Sequence, residues 1–270
     1  MQLSQFLRLR ENACRSMTYF NESRIKATLT EVQRAIINRF IVELNGRGIL
    51  SAEMGMGKTL MSISIMVHFG GTWLISPPSM KGCDWVQECM KWAGIKAIMI
   101  ESTKDIPPKN DGAKVYIISH TLGRMNPDFL TKNKWDGIII DEAHVIKGED
   151  SQVSRVWMDA LHLVKYAILA SGTPLKNGTM DVFNLLNGIC PLVFHDRKAF
   201  SARYAGGRVG PDGKWMETYP TNVEELSELL AHFMARNTIP KELEDKPESE
   251  SLHRILYKFK VPDSVVLPER

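Results

Sequence analysis

The sequence predicts an α/β fold with a mostly parallel sheet and helices on both faces. Two observations lead to this prediction. Short runs rich in isoleucine, leucine and valine alternate along the chain with segments of helical periodicity. Several of these runs are apolar throughout, as is expected of strands that are covered on both faces. Strands and helices in alternation place the helices on the two sides of one sheet.

The predicted strands and helices follow one another along the chain. Six runs are predicted as strands: GILSAE, TWLISPP, KAIMIES, KVYIISH, GIIIDEA and YAILASG. Four segments have helical spacing: LTEVQRAIINRFIVEL, KTLMSISIMVHF, DWVQECMKWA and SQVSRVWMDALHLV. Towards the C-terminus, NVEELSELLAHFMARN is predicted as a helix and SLHRILYKFKVP as a final strand.

The composition sets broad limits on the class of protein. The chain has 270 residues, of which 44% are apolar and 24% are charged, as in ordinary globular proteins. The net charge of +3 permits a nucleic-acid partner but does not indicate one, since a clustered patch would be needed. The four cysteines, Cys14, Cys83, Cys89 and Cys190, lack the paired spacing of a zinc site, and we expect free thiols.

No membrane partner is predicted. The sequence has no apolar run long enough to cross a bilayer, and its first residues are polar and charged, unlike a signal peptide. We therefore expect an intracellular protein.

The chain is predicted to have three parts. Residues 1–28 form an N-terminal extension, residues 29–240 form the α/β domain, and residues 241–270 form a charged connector that contains prolines. Within the domain, residues 191–222 are rich in glycine and polar side chains, and we expect an irregular insertion there.

The segment SAEMGMGKTL, residues 51–60, lies between a predicted strand and a predicted helix and has the pattern of a phosphate-binding loop. Gly55 and Gly57 allow the backbone N–H groups to approach an anion, Lys58 reaches the β- and γ-phosphates, and the Thr59 hydroxyl binds Mg²⁺. Ala52 stands where the usual pattern has glycine. The alternative is a glycine turn with a solvated lysine. The residues expected to contact the nucleotide are Met54, Gly55, Met56, Gly57, Lys58, Thr59 and Leu60.

The segment WDGIIIDEAH places two carboxylates at the end of a buried strand. Ligands of open α/β sheets bind at that edge. We expect Asp141 to hold Mg²⁺ through water and Glu142 to orient and deprotonate the attacking water. The alternative is a pair of solvated acids at a strand end. With Lys58, these two residues are the predicted catalytic group.

Together, these motifs resemble a known family. The segments AEMGMGKT, DEAH and SGTP, in this order, resemble the first RecA-like lobe of superfamily-two helicases, a P-loop NTPase fold. The segments ISPPSMKGCDWVQECMKW, IISHTL, DEAHVIKG, SGTPLKN, VFNLLNGICP and FMARN resemble motifs of the Swi/Snf-type translocases of double-stranded DNA. The resemblance runs from about Leu29 to Val261, and FSARY is similar to the annealing-helicase, HARP-like branch.

The resemblance implies roles for further residues. Gln33 matches the glutamine that reads the adenine edge, although Thr30 and Gln33 also have the spacing of a helix capping box. Ser171 and Thr173 match the motif that couples hydrolysis to lobe movement, and His144 would bridge that motif to the carboxylate strand. The alternatives are a strand-to-loop turn and a core histidine. The residues that match DNA-backbone contacts, or that lie in ordinary loops, are Pro77, Ser79, Lys81, Ser119 and His120.

The resemblance also implies the function. It predicts the ATP-binding and ATP-hydrolysing lobe of a DNA-dependent translocase on duplex DNA, with ATP and Mg²⁺ as cofactors. We expect a location with DNA, in the nucleus if the protein is eukaryotic and in the cytoplasm if it is bacterial or viral. The second RecA-like lobe and its arginine finger are expected in cis or in trans, so that the chain alone would be weakly active. Near Arg236 the family's basic pattern is altered at Asn237 and Ile239. The alternatives are a non-catalytic nucleotide-binding scaffold and the lobe of a DEAH-type RNA helicase.

Overall fold

The computed structural model describes residues 2–14, without the side chains of 13 and 14, and residues 17–107, 114–146, 148, 151–172 and 178–236. Within these residues the α-helices are α1 (Leu3–Cys14), α2 (Glu31–Val42), α3 (Lys58–Phe69), α4 (Gly82–Ala93), α5 (His120–Met125), α6 (Pro127–Lys132), α7 (Gln152–Leu163), α8 (Asp181–Ile189), α9 (Arg197–Tyr204) and α10 (Val223–Ala231). The strands are β1 (Arg47–Ser51), β2 (Trp73–Ser76), β3 (Ile98–Ile100), β4 (Val115–Ile118), β5 (Gly137–Ile140), β6 (Tyr166–Ser171), β7 (Arg208–Val209), β8 (Trp215–Met216) and β9 (Met234–Arg236).

Seven of the described strands form one parallel sheet in the order β3-β4-β2-β5-β6-β1-β9. Every pairing within it is parallel, including β1 with β6 and β2 with β5. Because parallel strands all end at the same edge of a sheet, the loops after β1, β2, β4, β5 and β6 lie near one another. The predicted fold class is confirmed.

The sheet separates two apolar cores. In β5, Ile139 faces the core that contains α2, α3 and α4, whereas Ile138 and Ile140 face the core on the other side. The second core includes buried residues of α7, α8 and α10. Alternate residues of an extended strand point to opposite faces, so strands that are apolar throughout require helices on both sides.

One predicted helix ends earlier than the sequence indicates. The helical pattern continues to Asn237, but α10 ends at Ala231, and residues 234–236 form β9 at the sheet edge. There Ala235 pairs with Leu50 of β1. Pairing with a distant strand, which local periodicity does not reveal, decides the structure of this segment.

The segment 191–222, expected to be irregular, contains regular structure. Asp196 accepts a hydrogen bond from Ala199 N and caps α9, which buries Phe200 and Tyr204 one turn apart. β7 and β8 pair as an antiparallel hairpin. The polar composition of the segment did not indicate the amphipathic helix α9.

The N-terminal extension packs on the domain. The rings of Phe6 and Phe233 stack with their centroids 5.9 Å apart, and the Arg10 guanidinium lies 5.3 Å from the Phe233 ring. The proposed boundaries at 28 and 240 stay predictions, and residues 241–270, with the predicted final strand, lie outside the described residues. Across the described ranges, no helix has the length and hydropathy that a membrane crossing requires.

Candidate nucleotide and DNA site

The predicted motifs meet at the carboxyl edge of the sheet. The phosphate loop follows β1, and the segment 77–81 follows β2. Asp141 follows β5, and its backbone N–H donates to Ser76 O at 2.9 Å. Ser171 ends β6 opposite Ser51 of β1. The fold therefore brings motifs that are far apart in sequence to one edge of the sheet.

The phosphate loop joins β1 to α3 through two residues of positive φ. Gly55 has φ 83° and Gly57 has φ 81°, a region that glycine enters without strain. Gly57 precedes α3 and provides no side-chain cap, so the first N–H groups of this 12-residue helix have no side-chain acceptor there. Met54 is 87% exposed at the tip of the loop. This geometry suits an anion at the helix N-terminus.

Lys58 bends back over the loop that precedes it. Its Nζ donates to Ala52 O at 2.8 Å and to Glu53 O at 3.1 Å. Burial lowers the pKa of Lys58, and the charges of Glu142 and Asp141 act in the opposite direction. The ammonium group is therefore held inside the cleft, close to both acids.

Gln33 contacts the phosphate loop and also caps α2. Its Oε1 accepts from Thr30 N at 3.0 Å and its backbone N–H donates to Thr30 Oγ1, which completes the capping box. Its Nε2 donates to Met56 O at 3.1 Å. The capping alternative is present in the structure, while adenine reading stays a prediction.

The Asp141 side chain accepts two hydrogen bonds from residues that the structure describes. The residue is 6% exposed, Oδ2 accepts from Trp85 Nε1 at 3.2 Å, and Oδ1 accepts from Glu142 N at 3.0 Å. A carboxylate offers about four acceptor positions, so two donors leave acceptor capacity for a metal-bound water. These two donors hold the carboxylate in the orientation seen in the structure.

Glu142 lies between two basic side chains. Its backbone has φ 53°, uncommon for a residue with a Cβ and a mark of functional strain in many sites. Oε1 is 3.4 Å from Lys81 Nζ, and Oε2 is 3.4 Å from His144 Nδ1. Both carboxylate oxygens therefore have a contact in this structure.

One cleft of about 410 Å³ joins the phosphate loop to the acids. Its lining includes Met54, Gly55, Gly57, Lys58, Thr59, Leu60, Lys81, Trp85, Asp141 and Glu142. Trp85 is a site residue that sequence reasoning missed, since the motif resemblance marked it without giving it a role. No cluster of three metal-ligating side chains occurs among the residues that the structure describes.

The predicted coupling residues have separate surroundings. His144 is half exposed beside Glu142, and Ser171 is fully buried at the end of β6. A Cβ built on the next residue, Gly172, would lie 3.7 Å from Lys58 Nζ, so this motif adjoins the phosphate loop. Thr173 lies outside the described residues.

The predicted DNA contacts divide into exposed and buried residues. Ser79 and Lys81 are exposed in a 3₁₀ turn, which Pro77 precedes as a buried residue. Ser119 is partly exposed, and its Oγ accepts from Leu122 N and caps α5.

His120 differs from the expectation of a DNA contact. Its side chain is 6% exposed, and Nδ1 lies 2.7 Å from Ser76 Oγ. Burial lowers the pKa of His120 to about 4. A buried, neutral ring gives DNA no cation, so a side-chain contact from His120 is no longer expected.

A protein-family model described as the SNF2-related domain matches residues 16–256. The chain belongs to this family. The family prediction is therefore confirmed. Curated proteins that are similar to this SNF2-related chain include one from human and one from yeast. Human DNA annealing helicase and endonuclease ZRANB3 is 28% identical over 231 residues, which is 80% of this chain and 21% of the relative. Yeast ISWI chromatin-remodeling complex ATPase ISW1 is 33% identical over 203 residues, which is 70% of this chain and 17% of the relative.

Comparison with solved structures gives the same fold. The SWI2/SNF2 ATPase core of Sulfolobus solfataricus, solved in complex with dsDNA, matches with a TM-score of 0.67 and 22% identity. The match covers 82% of this SNF2-related chain and 47% of that chain. The predicted RecA-like lobe is confirmed as the fold. The chain thus spans a minor part of each relative named here.

Proposed function

We propose that this chain is the ATP-binding and ATP-hydrolysing lobe of a DNA-dependent translocase that acts on duplex DNA. One observation supports the proposal most strongly. Lys58 at the start of α3, and Asp141 and Glu142 at the end of β5, line the same cleft. Phosphoanhydride hydrolysis needs positioning and charge neutralisation, and these residue types supply both.

The triphosphate would lie over the N-terminus of α3. Positive φ at Gly55 and Gly57 turns the loop, and the first N–H groups of α3 have no side-chain cap. Lys58 is close enough to exchange its two carbonyl contacts for phosphate oxygens. Met54 and Leu60 line the rim of the cleft, and Gln33 contacts the same loop through Met56 O. Gln33 is the proposed reader of the adenine edge.

The donor set fits Mg²⁺. This ion binds oxygen ligands and usually uses one or two carboxylates together with substrate phosphates, which suits a site without a three-residue cluster among the described residues. The Thr59 hydroxyl and the Asp141 carboxylate, which has acceptor positions left after its two hydrogen bonds, would hold it. Bound there, Mg²⁺ supplies neutralisation of phosphate charge.

Glu142 would position the attacking water and accept its proton. A carboxylate oxygen that faces a cationic donor is a weaker proton acceptor. In the present arrangement Oε1 faces Lys81 and Oε2 faces His144, so opening either contact would strengthen Glu142 as the base.

Duplex DNA and a second RecA-like lobe are the proposed partners. Ser79 and Lys81, exposed beside the cleft, would contact the DNA backbone, and Ser171 and Thr173 would transmit hydrolysis to the second lobe. The relatives include both an annealing helicase and a chromatin-remodeling ATPase. Membership of the annealing-helicase branch is therefore a more specific proposal than membership of the family. Location with DNA is proposed on the same grounds.

Glu142→Gln tests the enzyme function. Glutamine keeps the size of the side chain and removes the base. We expect nucleotide affinity as in the wild type by calorimetry, and loss of phosphate release in a two-lobe protein that contains this chain, by about 100-fold or more. Unchanged turnover would contradict the proposal and favour the scaffold alternative.

The nucleic-acid partner is tested by comparing stimulation of ATP hydrolysis by duplex DNA and by RNA. We expect stimulation by duplex DNA, with affinity that falls steeply as salt rises and does not depend on base sequence, because phosphate contacts dominate. Stimulation by RNA alone would support the DEAH-type alternative instead.

A further inference from the structure

Trp85 has a side-chain contact that none of the proposed roles uses. It lies in the first turn of α4, is 2% exposed, and donates from Nε1 to Asp141 Oδ2 at 3.2 Å. We infer that Trp85 is a positioning residue that orients Asp141 towards the metal, an inference that rests on the proposed nucleotide function. Outer-shell donors to metal-binding carboxylates affect metal affinity in this way.

Within the described parts of the chain, two hydrogen bonds orient the Asp141 carboxylate. The terminal torsion of an aspartate has a broad minimum, so the group rotates readily when nothing holds it. Glu142 N holds Oδ1 at 3.0 Å, but this donor is the neighbouring backbone and moves with the residue. Trp85 lies in α4, 56 positions away in sequence. Its N–H therefore holds Oδ2 from an element that does not move with β5. Removing it takes away the donor that ties Oδ2 to another element.

The contact is specific to this tryptophan. The six tryptophans of the chain all lie in described parts of it, and the other five donate elsewhere. Their acceptors are Gly70 O for Trp73, Glu88 for Trp92, Leu130 O for Trp135, His120 O for Trp157 and Ser201 Oγ for Trp215. Trp215, in β8, does not line the cleft that contains Asp141 and donates to Ser201 Oγ instead, and so offers a matched control.

The start of α4 contacts both acids. Lys81, which precedes the helix, faces Glu142 Oε1, and Trp85, one helical turn later, holds Asp141 Oδ2. The segment that carries the proposed DNA contacts therefore continues directly into the residue that orients the metal ligand.

Trp85→Phe tests the inference, with Trp215→Phe as the control. Phenylalanine retains an aromatic ring and removes the N–H donor. A non-hydrolysable ATP analogue is titrated calorimetrically into the chain with Mg²⁺ and, separately, with EDTA. For Trp85→Phe we expect about tenfold weaker affinity with Mg²⁺ and unchanged affinity in EDTA. For Trp215→Phe we expect wild-type affinity in both conditions.

The outcomes separate the inference from the proposed function. If the wild type does not bind the nucleotide with Mg²⁺, the proposed function fails. If it binds and Trp85→Phe has the same Mg²⁺ dependence, or loses affinity equally with and without Mg²⁺, the positioning role fails. Should Trp85→Phe not fold, benzothienylalanine at position 85 keeps the ring shape without the N–H, and the same two titrations decide.

Discussion

Lys81 Nζ lies 3.4 Å from Glu142 Oε1, so a residue of the proposed DNA-contacting segment contacts the proposed catalytic base. The two residues are 61 positions apart in sequence, and the neighbouring ends of β2 and β5 bring them together. The contact is partly exposed, and ion pairs of this kind contribute at most about 1 kcal/mol. It is therefore weak enough to open when another anion attracts the lysine.

Lys81→Met is expected to raise DNA-independent ATP hydrolysis by up to about fivefold, because the variant frees one oxygen of Glu142 and 1 kcal/mol corresponds to that factor. Stimulation by duplex DNA is expected to fall. Phosphate release with and without DNA measures both effects. In a Glu142→Gln background Lys81→Met should leave DNA-independent hydrolysis unchanged, and a lower DNA-independent rate in the single variant would contradict the account.

Gln33→Glu separates the two roles of Gln33. Glutamate at this position keeps the capping box with Thr30, and the stability of α2 should change little. It removes the amide donor that contacts Met56 O and that adenine reading requires. We expect weaker ATP binding and reduced preference for ATP over GTP, measured by competition titration. Unchanged preference would leave Gln33 with the capping role alone.

Arg47 joins the ends of two helices. Its guanidinium donates to Leu161 O and Gly188 O, at 3.0 and 2.8 Å, and also to Val164 O and Ile189 O. Arg47→Met leaves these carbonyl groups without their donor, and we expect a loss of about 3 kcal/mol or more in the free energy of unfolding, measured by urea denaturation. Arg8→Met, at an exposed position of α1, is the control and should change stability little.

The buried His120 is expected to make stability depend on pH. Burial lowers its pKa to about 4 in the folded chain, against about 6.5 when unfolded. Between these values the unfolded state binds more protons, so the stability contribution is full above pH 6.5 and is lost as the pH falls towards 4. Between pH 6.5 and pH 4, this loss of stability amounts to about 2–3 kcal/mol. His120→Gln should lose less stability over this range in urea denaturation, and equal losses would contradict the prediction.

The sequence predicts the site best where its residues are contiguous. The phosphate loop and the pair Asp141 and Glu142 each lie within a few residues, and each follows a strand with an apolar run. The contacts of Trp85 with Asp141 and of Lys81 with Glu142 join distant segments, and only the sheet order brings them together.

The fold shows the same limit. The six apolar runs form strands because their composition suits a sheet covered on both faces. Residues 234–236 follow a leucine-rich helix and continue its pattern, yet they pair with β1. In α9, Phe200 and Tyr204 reach the core from a polar segment, where two aromatic side chains are too weak a periodic signal.

The central claim is that the phosphate loop around Lys58 binds ATP together with Mg²⁺. Calorimetric titration of the chain with Mg²⁺ and a non-hydrolysable ATP analogue tests it most directly, with Lys58→Ala as the variant and Lys132→Ala, at an exposed lysine of α6, as the control. We predict saturable binding by the wild type and by Lys132→Ala, and a loss of affinity of at least about tenfold in Lys58→Ala. No binding by the wild type, or equal binding by Lys58→Ala, would contradict the account.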